Sequence, residues 1–191
     1  MKVIKEHIAL FRTQILDMII GFMEANGDSI SARDCTYGVL ICDGTLDGIT
    51  MIKGTGSTTI MVDYSDEGDS CGCINAENLP LETLMNIMEW LETYKDEIIE
   101  STNGEATSLL GDCYDEVFYD KESGHDERQQ TFRVEPSVTI GAVKITRVSD
   151  YYSNDDHFGL HDADGVDYWP TLLAGDRLRI AREIHKQFFG Y

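Results

Sequence analysis

A serine motif lies in the acidic middle of the chain. Residues 68–72, which read GDSCG, match the G-x-S-x-G pattern that surrounds the nucleophile of many hydrolases. In those enzymes a sharp turn from a strand into a helix exposes the serine, and a histidine held by a carboxylate accepts its proton. The residues after Ser70 are expected to be extended, with the next helix about ten residues later, which does not fit such a turn. Because histidines follow at His125, His157 and His161, a serine hydrolase that uses Ser70 is one hypothesis.

The cysteines and the acidic turns do not have the spacing of a metal site. Structural zinc sites pair cysteines across two to four intervening residues. Six residues separate Cys35 from Cys42, and one residue separates Cys71 from Cys73, so neither pair has this spacing. Three acidic turns centred on glycine lack the closing glutamate of an EF-hand-type calcium loop. We therefore expect no metal, no cofactor and no enzyme that depends on either.

Negative charge is concentrated in the middle half of the sequence. The formal net charge of the chain is −20. Residues 1–33 carry four basic and four acidic side chains, residues 34–130 carry four and twenty-two, and residues 131–191 carry seven and nine. A field of one sign attracts cations and basic surfaces and repels nucleic acid and anionic lipid. This balance excludes direct binding of nucleic acid and favours a basic partner.

The charge asymmetry predicts that the chain acts by binding another protein, as an acidic accessory protein. An alternative is an inhibitor that mimics nucleic acid and occupies a DNA-binding protein, which requires carboxylates arrayed on one continuous surface. The candidate binding surface consists of the acidic residues Asp63, Asp66, Glu67, Asp69, Asp112, Asp115, Glu116 and Asp120. A basic cluster on the last helix, which includes Arg177 and Arg182, is expected to pair with the acidic middle, within the chain or between subunits.

The sequence also predicts a compartment. Charged and polar residues interrupt the apolar residues of the first 25 positions, so we expect neither a secretory leader nor a membrane span. Five cysteines are an odd number, which does not indicate a complete set of disulfides. We expect a cytoplasmic protein with reduced thiols.

The first element is predicted to be a helix over residues 3–25, which ends at Asn26-Gly27. Its apolar residues recur at helical spacing, at Ile4, Ile8, Phe11, Ile15, Ile19 and Phe22. Further apolar residues widen this arc, so more than one side of the helix must be covered. Burial under a sheet is the first interpretation, and a homodimer contact through this helix is the second.

The remaining pattern predicts an α+β fold with largely antiparallel sheets and two further principal helices, over residues 80–99 and 176–188. Short β-rich runs are separated by turn signals, which include Asp47-Gly48 and Gly54-Thr55-Gly56. The segment 101–111 is expected to be a connection and the only candidate boundary inside a single domain of residues 1–191. A strand is predicted after it, near residues 113–119. Each half then consists of a β-meander, a turn marked by proline and a helix.

Overall fold

The computed structural model describes residues 2–32, 40–41, 44–66, 69–118, 131–151 and 157–190. Among the predicted site residues, Glu67, Asp120 and His125 lie outside these ranges. For Asp66, Asp69 and Ser70 the structure describes the backbone.

The chain folds as two compact units, residues 1–101 and 102–191. The described helices are α1 (Lys2–Asn26), α2 (Leu81–Thr93), α3 (Lys95–Phe118) and α4 (Ala174–Phe189). The first five described strands are β1 (Ser29–Ser31), β2 (Leu40–Ile41), β3 (Gly44–Gly54), β4 (Ser57–Asp66) and β5 (Asp69–Asn75). The other three are β6 (Thr131–Ile140), β7 (Val143–Tyr151) and β8 (His157–His161).

The first unit is an antiparallel sheet that shares one core with helices. Its strands are ordered β1-β3-β4-β5, and β2 also pairs with β3. The second half of α1 packs against α2 because both helices carry apolar residues at spacings of three and four. The fully buried side chains of this core include Ile19, Ile49, Val62, Leu84, Ile87 and Leu91.

The second unit is a three-stranded antiparallel sheet, ordered β6-β7-β8, with α4 and the latter part of α3. The β6–β7 hairpin turns at Gly141, whose φ of +58° is a left-handed conformation that glycine adopts without strain. The side chains of these two strands that enter the core include Phe132, Val134, Val138, Ile145 and Val148. The fully buried residues include Leu110, Ile145, Val148, Leu160, Ala181 and Ile184.

The α+β fold with antiparallel sheets is confirmed, but the prediction for residues 80–118 was wrong in detail. The predicted helix 80–99 is two helices that meet at Tyr94. The expected connection 101–111 and the expected strand 113–119 are helical as far as Phe118. Polar residues and two glycines give this stretch the composition of a loop, whereas burial of apolar residues at helical spacing holds it as a helix.

The predicted turn at Asp47-Gly48 is also wrong, because both residues lie inside β3. The pairing with β4 shifts register between Leu46 and Gly48, which marks a β-bulge. A Cβ atom at Gly48 would lie 2.9 Å from the carbonyl oxygen of Ile30, so glycine permits the close approach of β1. The predicted turn at Gly54-Thr55-Gly56 is confirmed as the β3–β4 hairpin.

The two units repeat one order of elements: a long helix, an antiparallel meander, a 3₁₀ turn and a second helix. The 3₁₀ turns are Ala76–Asn78 and Trp169–Thr171. After each turn a leucine, Leu79 or Leu172, donates its N–H to the carbonyl of the first residue of the turn. The residue that follows has φ −57° and ψ 151° in the first unit, and φ −69° and ψ 154° in the second. The backbone thus enters α2 and α4 by the same path.

Candidate functional site

The backbone around Ser70 is not the elbow of a hydrolase. Ser70 lies in β5 opposite Ser65 of β4, inside a ladder that runs on towards Asn75. A 3₁₀ turn follows the strand, and the next α-helix begins at Leu81. A nucleophile elbow requires the helix to begin directly after the serine. The hydrolase hypothesis therefore depends on the sequence motif alone.

Asp63 and Cys73 form a pair across the same two strands. They lie opposite each other in the β4–β5 ladder, and the Asp63 carboxylate accepts a hydrogen bond from the Cys73 thiol. This hydrogen bond, with smaller effects of desolvation and of the negative charge, raises the pKa of Cys73 to about 11. An exposed cysteine with such a pKa is protonated at neutral pH, which makes it a weak nucleophile and a poor metal ligand.

The buried cysteine of α3 is protonated as well. Burial raises the pKa of Cys113 to about 12, and the nearby charge of Asp112 acts in the same direction. Within the part of the chain that the structure describes, no three histidine, cysteine, aspartate or glutamate side chains are grouped as a metal site.

The end of α3 carries the described part of the predicted acidic surface. Asp112, Asp115 and Glu116 are exposed and share one face of the helix, because residues three and four apart are neighbours. Helix α3 ends at Phe118, and its last turn contains no basic residue. The carbonyl end of a helix is the negative end of its macrodipole, so these carboxylates stand where negative charge is disfavoured.

Basic residues of α4 neutralise some of the acids of α3. Arg182 forms an ion pair with Glu105 at 2.9 Å, which confirms part of the expected pairing between the basic cluster and the acidic middle. His185 Nε2 lies 3.6 Å from an oxygen of Asp112. Among the described contacts, no ion pair involves Asp115 or Glu116. The last two acids on this face of α3 thus remain available to an outside cation.

The other described acidic residues of the prediction lie on the β4–β5 hairpin of the first unit. Asp66 and Asp69 are opposite each other at its end, and Asp63 is closer to the middle of the ladder. The predicted surface is therefore divided between the two units. The structure brings together one group on the hairpin and one group on α3.

Arg177, which was predicted to belong to the basic cluster, has a structural role. Its guanidinium lies 5.0 Å from the centre of the Trp169 ring. Its Nε donates to the carbonyl of Trp169 at 2.9 Å, and its Nη1 donates to Oδ1 of Asn103 at 3.0 Å. The side chain thus joins α3, the 3₁₀ turn and α4.

The acidic loop after β8 is also structural. Oδ1 of Asp162 accepts the N–H groups of Asp164 and Val166, each at 2.9 Å, and Oδ2 accepts the hydroxyl of Tyr168 at 3.2 Å. These hydrogen bonds, led by the one from Val166, lower the pKa of Asp162. The carboxylate is occupied in closing the turn, which explains the Asp and Gly residues there without an ion.

Helix α1 is buried along one half and exposed along the other. Its second half enters the core of the first unit, where Ile15 is 8% exposed and Ile19 is 0% exposed. All residues from 4 to 11 are exposed, and Ile8 and Phe11 on the same stripe are 51% and 44% exposed. The interpretation of burial under a sheet is therefore correct for the second half of the helix. The sequence pattern did not show where the burial of α1 ends, because the apolar stripe continues through both halves of the helix.

No described helix is long and apolar enough to cross a membrane. No family model, no curated protein and no solved structure matches this chain.

Proposed function

We propose that this chain is a cytosolic accessory protein that works by binding another protein through its acidic surface. The partner is expected to present lysine and arginine side chains. The observation that carries the proposal is the end of α3, where Asp115 and Glu116 are exposed at the negative end of the helix.

A basic partner would relieve an unfavourable arrangement at this helix end. Each carboxylate near a helix C-terminus costs about 0.3–1 kcal/mol when it is exposed. Neighbouring like charges on one helix face add a similar penalty. The arginines of α4, Arg177, Arg179 and Arg182, are engaged with other groups. A cation supplied by another protein removes both penalties. The β4–β5 hairpin of the first unit carries a second acidic group, at Asp63, Asp66 and Asp69.

The charge of the whole chain supports the same mode of binding. A net charge of −20 on 191 residues is larger than solubility requires. Such a field speeds the encounter with a basic surface and makes association sensitive to salt. Binding through this surface should therefore weaken as ionic strength rises.

Mimicry of nucleic acid remains the alternative hypothesis. It requires a continuous array of charges, about one per 1.7 Å along the axis of a DNA duplex. On α3 this array is interrupted, because Arg182 pairs with Glu105 and His185 lies beside Asp112. Binding of a basic protein needs only a local cluster of carboxylates. We therefore prefer protein binding to mimicry of nucleic acid.

The proposal can be tested by affinity capture from the native cytosol with the full chain as bait, at about 0.05 and about 0.5 M salt. The test variant is Asp115→Asn with Glu116→Gln. The matched control is Glu89→Gln with Glu92→Gln, which removes two exposed charges from α2. We expect a basic protein that the wild type and the control capture at low salt and release at high salt, and that the test variant captures weakly. Equal capture by the test variant and the control would refute a role for the end of α3.

A further inference from the structure

The last strand of the first sheet has an open edge. β5 pairs with β4 and, among the described strands, with no other, while β1 and β2 pair with β3 on the opposite side of the sheet. Gly72 of β5 is exposed, and because glycine has no side chain this exposure is that of its backbone. Cys73 beside it is also exposed. Such an edge offers N–H and C=O groups to which another chain can add as a strand.

The register of the sheet identifies the residues of β4 that bond to β5. Opposite residues in an antiparallel ladder alternate between hydrogen-bonded and non-hydrogen-bonded pairs. The β3–β4 hairpin has a two-residue turn, which makes Gly54 and Ser57 a hydrogen-bonded pair. Every second residue of β4, beginning with Ser57, therefore bonds to β3. The residues between them, which include Val62 and Tyr64, bond to β5.

The backbone groups at the open edge belong to Cys73 and Asn75. Ile74 and Gly72 lie opposite Val62 and Tyr64 in the ladder, so these two residues of β5 bond to β4. The N–H and C=O groups of Cys73 and Asn75 consequently point away from β4. Among the described hydrogen bonds, none joins these edge groups to another part of the backbone.

The second unit shows how the chain itself covers the corresponding edge. Like β5, β8 is the last strand before the 3₁₀ turn and lies at one side of its sheet. Residues 162–168 follow β8 and return along its outer edge, where the carbonyl of Leu160 accepts the N–H of Tyr168 at 2.8 Å. Gly159 of β8 is buried, whereas Gly72 of β5 is exposed.

The first unit has no such covering segment between its last strand and its 3₁₀ turn. β5 ends at Asn75, and the turn begins at the next residue, Ala76. In the second unit the cover is an extended stretch of backbone that pairs antiparallel with the edge strand, through His161 and Asp167. This contrast indicates that the structure which fits the open edge of β5 is a single extended strand.

The charges around the open edge favour a basic strand. Residues 54–94, which include β4 and β5, contain acidic side chains but no lysine, arginine or histidine. Asp63 lies opposite Cys73, and Asp66 and Asp69 are paired at the end of the hairpin. A second copy of β5 at this edge would bring like charges together, which disfavours self-pairing. A strand that carries lysine or arginine is complementary.

The geometry of the sheet places one basic side chain of such a strand. Ile74 packs against the core, so Cys73 and Asp63 are on the opposite face of the sheet. In an added antiparallel strand, the residue that bonds to the backbone of Cys73 has its side chain on this same face. It lies two strand spacings, about 10 Å, from the backbone of Asp63. The long side chain of lysine or arginine spans this gap to the carboxylate.

We propose that the edge of β5 binds an extended segment of a basic protein as an added antiparallel strand, with a lysine or arginine opposite Cys73 that forms an ion pair with Asp63. The inference rests on the proposed function in expecting a basic partner, and it adds the site and the conformation of the partner's segment. Backbone hydrogen bonds supply affinity, and the alternate basic side chains supply selectivity. The Asp63 carboxylate has acceptor sites left beside the Cys73 thiol.

The first test uses a synthetic peptide in which lysine alternates with threonine, at about 0.05 M salt. Two isomers of this peptide carry N-methyl groups on every lysine or on every threonine. In the proposed register the lysine N–H groups point to β5 and the threonine N–H groups point away. We expect methylation at threonine to preserve the affinity and methylation at lysine to weaken binding about tenfold or more. Equal affinities of the two isomers, or no binding of the parent peptide, would overturn the proposal.

A third peptide tests the charge of the occupant. Glutamine in place of every lysine keeps the backbone groups and removes the positive charges. Binding should weaken about tenfold or more, because the ion pair with Asp63 and the attraction of the acidic hairpin are lost. If the glutamine peptide binds as tightly as the lysine peptide, the occupant is not a basic strand and the proposal is wrong.

The second test changes the edge of the protein with Asn75→Pro. Asn75 has a φ of −66°, which proline adopts, so this change removes an outward N–H without backbone strain. Asn75→Ala is the matched control, because both variants lose the side chain that accepts the N–H of Glu77. The lysine peptide should bind the alanine variant like the wild type and the proline variant about fivefold or more weakly. Equal binding by two variants with the same circular dichroism spectrum would contradict docking at this edge.

Amide hydrogen exchange locates the contact. In the free protein the amides of Cys73 and Asn75 should exchange faster than those of Gly72 and Ile74, because only the latter pair bonds to β4. Saturating lysine peptide should slow the exchange at Cys73 and Asn75 about tenfold or more. Protection elsewhere, with no change at these two amides, would place the peptide at another site and overturn the proposal.

The two proposals of this article fail separately. Asp115→Asn with Glu116→Gln should bind the lysine peptide like the wild type, because these residues are not part of the β5 edge. If capture of a basic protein depends on Asp115 and Glu116 but the peptide does not protect β5, only the inference about the edge is lost. If the peptide binds at β5 but that variant captures the basic protein like its control, only the role of the end of α3 is lost.

Discussion

Asp63 of β4 lies opposite Cys73 of β5 and accepts a hydrogen bond from its thiol. The thiolate would repel the carboxylate, so the pair keeps Cys73 protonated to a higher pH than an ordinary cysteine, with its pKa raised to about 11. We therefore expect this exposed thiol to react slowly at mildly alkaline pH.

Asp63→Asn should make Cys73 more reactive. Removing the acceptor and its charge lowers the pKa of Cys73 from about 11 towards the ordinary value of 9.0. We expect the alkylation rate of Cys73 at mildly alkaline pH to rise about tenfold or more, because the thiolate is the nucleophile. Peptide mapping by mass spectrometry after timed alkylation measures this rate. Asp96→Asn on α3 is the control and should leave it unchanged; equal rates in both variants would contradict the role of Asp63.

Arg177→Lys should destabilise the second unit by about 1–3 kcal/mol. Lysine keeps the charge but cannot stack on Trp169 and donate to both the Trp169 carbonyl and Asn103. Urea unfolding of the full chain, followed by tryptophan fluorescence and circular dichroism, measures the loss. Arg133→Lys provides the control, since the Arg133 side chain is 83% exposed and its effect should stay within about 0.5 kcal/mol. Equal stabilities would show that the guanidinium contacts contribute nothing.

Replacing an apolar side chain by alanine should destabilise the protein in the second half of α1 but not in the first half. Ile19→Ala removes a side chain that is 0% exposed and should cost about 2–5 kcal/mol of unfolding free energy. Ile8→Ala changes an exposed position and should cost less than about 0.5 kcal/mol. Urea denaturation compares both variants with the wild type. A large loss of stability in Ile8→Ala would contradict the exposure of the first half of α1.

The loop after β8 should loosen only in strong acid. The pKa of Asp162 is lowered below its ordinary value of 3.8 by hydrogen bonds to its ionised form. A carboxyl with a lowered folded-state pKa contributes stability that is present above the unfolded pKa and lost as pH falls through the folded value. We expect the amide signals of Asp164 and Val166 to shift with a midpoint below pH 3.8 in an NMR titration. Asp162→Asn should abolish this transition, and a midpoint at or above 3.8 would contradict the assignment.

The elements with strong periodicity could be predicted from the sequence. Helices α1 and α4 have regular apolar spacing, and each was placed within two residues of its observed ends. The glycines of the β3–β4 turn located that hairpin, although β3 begins before the predicted strand. The part of α3 beyond residue 99 could not be predicted, because Asn103, Gly104 and Gly111 give it the composition of a connection. Only the packing of Ile98 and Leu110 into cores overrides that preference.

The error in α3 also limited the prediction of the acidic surface. On a strand, Asp115 and Glu116 would point to opposite faces, whereas on a helix they share one face with Asp112. The sequence contained the acidic residues but not the conformation that groups them. The contacts of Arg182 with Glu105 and of Asp63 with Cys73 join residues far apart in sequence or across a ladder, so no local pattern indicates them.

The position of the boundary between the units has a consequence for any attempt to divide the chain. Domain boundaries usually lie in exposed linkers, which tolerate cleavage and the insertion of foreign sequence. Here the boundary falls between Ser101 and Thr102, inside the continuous helix α3. A cut at that point leaves residues 95–101 as a fragment too short to be a stable helix on its own, although Ile98 completes the core of the first unit. A fusion partner or a protease site placed between Ser101 and Thr102 would therefore damage both units.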